Sequence, residues 1–158
     1  MRATEEIIKS LKCKAMKLPP DVIFHPVPRL FVWKPRGVLD EKAVNKIMMF
    51  VGEQEAASQE PFLRFADLTA IDMVELNFKY VFHIALYRRL TYARHAATKA
   101  AFLVTGKEAA HFVKLHKMLT DRSALQVAEF TEVQAAAKWL GVPCELLETP
   151  ASPGRHRL

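Results

Sequence analysis

Cysteine and glycine are scarce in this chain, with 2 and 5 residues in 158. Cys13 and Cys144 stand near opposite ends, form no CxxC pair and have no histidine at ligand spacing, which argues against a disulfide scaffold or a zinc ribbon. They read as free thiols of a reducing compartment. Few glycines also means few nucleotide signatures: there is no P-loop, no G-x-G-x-x-G and no G-x-S-x-G elbow, and Ser10, Ser58, Ser123 and Ser152 fall in polar stretches. The six histidines offer no paired ligands, because His111 and His116 would stand about 140° apart on a helix, and His83 has only Tyr87 one turn away. Neither a metal nor another cofactor is expected.

Long charge-free apolar runs are missing too. The longest apolar segment, 73–92, carries Glu75, Lys79, His83, Arg88 and Arg89, each costly in a bilayer, so it reads as a buried or surface helix and not a membrane span. The opening MRATEEIIKSLKCKAMKLPP mixes Glu5, Glu6 and 4 lysines with its apolar residues and has no secretory core, so a cytoplasmic location is expected. The net charge of +6 is spread over 9–17, 88–99, 107–122 and the GRHRL end, on helix faces and ends, which favours a solvated surface over nucleic-acid binding.

What is present is a globular composition, 51% hydrophobic and 25% charged, in a length suited to one domain. Ile7, Ile8, Leu11 and Ala15 give a helical face ended by Pro19-Pro20, so residues 1–20 read as a helical extension. The runs 22–24 and 29–34, parted by His25-Pro26-Val27-Pro28, predict two adjacent strands, with a turn at Pro35-Arg36-Gly37. Asp40 is placed to cap a helix whose Val44, Ile47, Met48 and Val51 share one face and whose pattern fades through 53–59.

A strand is predicted at 62–68, then a turn, then a long helix opened by a D-x-x-E cap at Asp72 and Glu75. Its apolar residues fall on two stripes, one of them containing Phe78 and Phe82. The run 99–105 suits a strand buried on both faces, and 107–120 a helix with Ala109, Phe112, Val113, Leu115 and Leu119 inward. The last unit, LQVAEFTEVQAAAKWLG at 125–141, alternates as a strand and then opens a helix through a Thr131/Gln134 capping box, closed by Gly141 and Pro143. The order ββαβαβαβα implies an α/β domain at 21–142, a mixed and mostly parallel sheet with crossover helices, and a tail at 143–158.

Two stretches carry a family resemblance. FLRFADLTAIDMVEL resembles the strand and loop of the SpoIIAA-like, or STAS, fold family, whose pattern continues into Asp-Ser-Ser-Gly-Leu. VAEFTEVQAAAKWLG resembles the last strand and helix of an uncharacterised bacterial branch of that family. The architecture also parallels SEC14-like lipid-transfer domains. The resemblance covers roughly residues 21–142 and implies a SpoIIAA-like core, to which the helix read at 1–20 is an extra element; in anti-sigma-factor antagonists it further implies a phosphorylatable serine at the start of the second helix. Here Met73-Val74-Glu75 stands where Ser-Ser-Gly would be, which puts that switch in doubt, with Thr69 the nearest hydroxyl.

Candidate site residues follow from the strand ends and from the aromatic helix. Asp67, Thr69 and Asp72 cluster in sequence where α/β sheets gather ligands, and Thr105 and Lys107 flank Gly106 at a neighbouring helix start, a place for phosphate. Cap and turn duties explain the carboxylates more simply than acid–base catalysis does. Phe78 and Phe82, if uncovered, form an apolar patch beside Arg88, Arg89 and Arg94, suited to an acidic partner or an anionic head group. The expected function is a non-catalytic binding or regulatory module acting on a protein partner or on itself as a homodimer. A carrier of an apolar, anionic, lipid-like ligand is the alternative, and an enzyme using carboxylates a lesser one.

Overall fold

A computed structural model describes residues 18–58, 60, 62–91, 97–121 and 123–148, with the side chains of Arg88, Arg89 and Thr91 left aside. The N-terminal helical extension expected at 1–20 lies almost wholly outside the described residues. The elements run β1 Val22–His25, β2 Leu30–Trp33, β3 Gly37–Asp40, α1 Glu41–Ser58, β4 Leu63–Asp67, β5 Ile71–Glu75, α2 Phe78–Thr91, β6 Thr98–Leu103, α3 Lys107–Leu119, β7 Leu125–Phe130, α4 Val133–Leu140 and α5 Cys144–Glu148.

Five strands form one sheet in the order β1-β2-β4-β6-β7, antiparallel between β1 and β2 and parallel elsewhere. Each parallel step moves one place along the sheet through a helix, and right-handed crossovers then put α1, α2 and α3 on the same face. Strand periodicity sorts the side chains accordingly. Phe31, Arg64 and Ala100 share that face in register, as do Trp33, Ala66 and Phe102. The opposite face presents Leu30, Val32, Phe65, Ala101 and Leu103 to Ala136, Ala137 and Leu140 of α4. Leu147 of α5, 1% exposed, joins that cluster, so the packed core continues past residue 142, where the sequence pattern had ended the domain.

The largest departure from the sequence reading lies at 71–75. This segment is a strand and not the first turn of a helix: β5 pairs in parallel with β3 in a separate two-stranded sheet, with a register shift between Gly37 and Val38. Gly37 supplies the positive φ of 79° at the entry to that strand, where a side chain would be strained. Pairing with β3 uses the backbone groups of 71–75, while Val74 and Leu39 enter a core with Leu68, Val104, Ala109 and Val113. That burial outweighs a local D-x-x-E pattern worth about 1 kcal/mol. The helix instead starts at Phe78, and Asn77 caps it, accepting the Tyr80 N–H on Oδ1 at 2.8 Å.

Two other helix starts test the capping rules. Asp40 does cap α1, its Oδ1 accepting the Ala43 N–H at 2.8 Å, and the helix continues to Ser58 beyond the point where its pattern fades. The Thr131/Gln134 box does not form. The Phe130 carbonyl still accepts the Val104 N–H at 2.9 Å, so β7 holds through Phe130 and α4 begins only at Val133, with Glu132 at the N-cap and no side-chain cap bond. Its C-terminus follows the sequence reading: Gly141 is left-handed at φ 75°, and Gly141 and Val142 both donate to the Ala137 carbonyl.

One buried ion pair ties α1 to the sheet. Arg64 Nη2 donates to Glu55 Oε1 at 2.6 Å and the Phe62 N–H donates to Glu55 Oε2 at 3.1 Å, with both charged side chains almost fully enclosed. Burial lowers the pKa of the Arg64 guanidinium and Glu55 opposes the shift. An arginine stays protonated under such a shift, so the pair is ionic.

Candidate functional site

At the carboxyl ends of the strands the candidate residues separate into three places. Asp67 ends β4, and its Oδ1 accepts both the Thr69 N–H at 2.9 Å and the Thr69 hydroxyl at 2.6 Å. Carboxylate and hydroxyl are thus engaged with each other in an Asx-type turn. Asp67 acts on a cation the sequence did not single out: burial lowers the pKa of the Lys34 ammonium, while the charges of Asp67 and Glu148 raise it. Lys34 follows β2, next to β4 in the sheet, and neighbouring strand ends are what brings it to Asp67.

Asp72 lies in β5, exposed and in the second sheet. As strand residues three apart, Asp72 and Glu75 project to opposite faces, so the D-x-x-E cap expected at a helix start is not formed. Thr105 and Lys107 lie elsewhere again, exposed at the exit of β6 and the first residue of α3, on a shallow depression of about 480 Å³ that also holds Lys114, Glu129 and Glu132. Lys114 Nζ stands 3.9 Å from Glu129 Oε1. With two acids facing two lysines, the depression has no cationic excess for a phosphate, although the helix start at Gly106 carries no side-chain cap bond. Asp67, Thr69 and Asp72 are not part of its wall.

The aromatic helix gives a different picture. α2 turns Val81 and Ala85 inward, 6% and 0% exposed, and turns Phe78, Phe82, Leu86 and Leu90 outward, 61%, 42%, 44% and 70% exposed. These four recur every four residues and follow one another along about 18 Å of helix. The Phe78 and Phe82 rings stack with centroids 6.4 Å apart. On its α1 side the helix is pinned by polar contacts, Asn77 Nδ2 donating to Glu41 Oε1 at 3.1 Å and the Tyr80 hydroxyl to Asn45 Oδ1 at 2.7 Å. The side chains of Arg88 and Arg89, expected beside this stripe, lie outside the described residues. From 76 to 107 the sequence has no Asp or Glu and carries Lys79, Arg88, Arg89, Arg94, Lys99 and Lys107.

With a five-stranded mixed sheet, three crossover helices on one face and α4 and α5 on the other, the architecture can be compared with known structures. The crystal structure of an uncharacterized protein of the DUF3478 family from Shewanella loihica PV-4, described as having a SpoIIAA-like fold, superimposes with a TM-score of 0.51 over 77% of this chain and 92% of that one, at 12% identity. The fold is SpoIIAA-like. No protein-family model matches the chain, and no curated protein matches it significantly. The segment that resembles the serine-bearing loop is here the strand β5, with Met73 exposed. Among the described residues no three of His, Cys, Asp and Glu come together to hold a metal, and no helix is long and apolar enough to cross a membrane.

Proposed function

We propose that this SpoIIAA-like protein is a non-catalytic binding or regulatory module, and that the outward face of α2 docks a protein partner whose surface combines apolar pockets with an acidic rim. The exposed stripe of Phe78, Phe82, Leu86 and Leu90 carries this reading, because side chains of that size left in water at successive turns mark a surface that is covered in use. The acid-free stretch around it supplies the choice of occupant. Two copies paired through α2 would set one acid-free, cation-bearing stretch against another, whereas an acidic rim complements it. The non-catalytic part is supported by the engagement of Asp67 with Thr69 and by the separation of Asp72 from Glu75.

The test compares wild-type full chain with a Phe78→Glu/Phe82→Glu variant, each immobilised and exposed to extract of the organism's own cells at low and at high salt. The reading expects proteins retained by the wild type, lost by the variant, released by salt and acidic in composition. Identical retention by both baits overturns it. A salt-insensitive dimer in sedimentation equilibrium that the same variant dissolves would replace the acidic partner with a second copy of this chain.

A further inference from the structure

The inner side of α2 borders a half-open apolar cavity of about 120 Å³ between the three crossover helices and the sheet. Its origin is a local deficit of side-chain volume. Ala66 and Ala100, on the two central strands β4 and β6, form the floor where the same face elsewhere presents Phe31, Trp33 and Phe102. Val81 and Ile84 of α2 form the roof, and Ile47 of α1 and Val113 of α3 the sides. None of these side chains is long enough to fill the gap. Protein interiors ordinarily close such spaces, since each void forfeits contacts on every wall.

The wall chemistry narrows the occupant. Its polar contributors are few, chiefly Arg64 and His116, both buried, and Tyr80. Arg64 meets the Glu55 carboxylate at 2.6 Å, so its charge is already balanced by an equally buried partner. His116 turns its ring edge to Phe102, with centroids 6.2 Å apart. An anion entering this space would lose its hydration and meet a neutralised cation, an arrangement that costs more than it returns. A neutral apolar molecule loses little and gains contact with every wall. Engineered cavities of about 150 Å³ with such linings stay dry and bind benzene.

We propose that this cavity is a binding site for a small, neutral, apolar or aromatic ligand, which sets aside the anionic, lipid-like ligand expected from the sequence. The site does not depend on the docking role of α2's outer face, since its residues lie on the inner one. The experiment titrates the full chain with benzene, toluene and benzoate while recording methyl resonances of Ile47, Val81, Ile84 and Val113. Benzene and toluene are expected to shift these methyls saturably, benzoate at least about tenfold more weakly, and Ala100→Leu, which fills the floor, to abolish the shifts. If Ala100→Leu does not fold, the smaller Ala66→Val serves as the filled variant, and the wild-type titration already decides. No saturable shift, shifts confined to Leu86 and Leu90 on the surface, or benzoate binding as tightly as toluene would each overturn the proposal.

Discussion

Removing the Glu55 carboxylate isolates the Arg64 guanidinium in the interior, and the structure makes the consequence calculable. Both side chains are under a tenth exposed, so water and salt screen them little and the pair cannot be treated as a surface contact. Breaking such a pair from one side costs about 3–5 kcal/mol, because the remaining charge stays desolvated. Glu55→Ala also deprives the Phe62 N–H of its acceptor at 3.1 Å, adding about 1–3 kcal/mol if no water reaches it. Against a total stability of about 5–15 kcal/mol for a domain of this kind, the variant should sit close to unfolding at room temperature.

Glu55→Gln separates the two contributions: it keeps an acceptor for Phe62 and loses the charge, so it should fall between wild type and Glu55→Ala. Replacing both partners, Glu55→Leu with Arg64→Met, removes the uncompensated charge and should bring stability back to within about 1 kcal/mol of wild type. Urea unfolding of these proteins and of the single variants Glu55→Leu and Arg64→Met at neutral pH, followed by circular dichroism, measures the cycle. A loss below about 1 kcal/mol for Glu55→Ala, or a double variant as unstable as the sum of the singles, would refute a buried and interdependent pair.

On α2, Phe82→Ser should change stability by less than about 1 kcal/mol, whereas Ala85→Leu, at a position with no exposed surface, should cost about 1–3 kcal/mol by overpacking; equal losses in thermal unfolding would contradict the orientation of the helix. At the helix starts, Asp40→Ala should cost about 1 kcal/mol and Thr131→Ala less than about 0.5 kcal/mol, and a reversed order would show that the capping box at α4 forms after all. Gly141→Ala should cost about 1–2 kcal/mol because its left-handed conformation excludes a Cβ, and a neutral result would mean that α4 ends differently. Cys144, whose thiol pKa is raised by desolvation and by Glu148 with Sγ 3.6 Å from its carboxylate, should be alkylated more slowly at pH 7 than an unfolded-chain cysteine and faster after Glu148→Gln; equal rates would rule out the contact.

Local patterns were enough wherever one residue type forces one backbone state. Asp40 capping α1, Gly141 ending α4, the apolar run that becomes β6 and the alternation that becomes β7 could all be read directly, and with them the alternation of strands and helices that makes the sheet mostly parallel. These are interactions between residues a few positions apart, so they are written in the chain in order. The same reading went wrong at 71–75, where a helix-start pattern was overridden by pairing with Gly37–Asp40, 34 positions earlier for Gly37 and Ile71.

Three further features were decided by tertiary structure alone. Glu55 and Arg64 look like solvated charges until α1 is laid against β4. Lys34 follows β2 and Asp67 ends β4, and they come together only because those two strands are neighbours. One of the two apolar stripes read on α2 holds Phe78, Val81, Phe82 and Ala85 together, and its periodicity gave no sign of which of them the sheet would cover. Packing chose Val81 and Ala85 for the inside and left Phe78 and Phe82 in solvent. Local sequence therefore determined most of the elements, and the distant contacts that exchange water for protein determined β5 and which faces the elements bury, because that exchange depends on what lies opposite and not on what comes next in the chain.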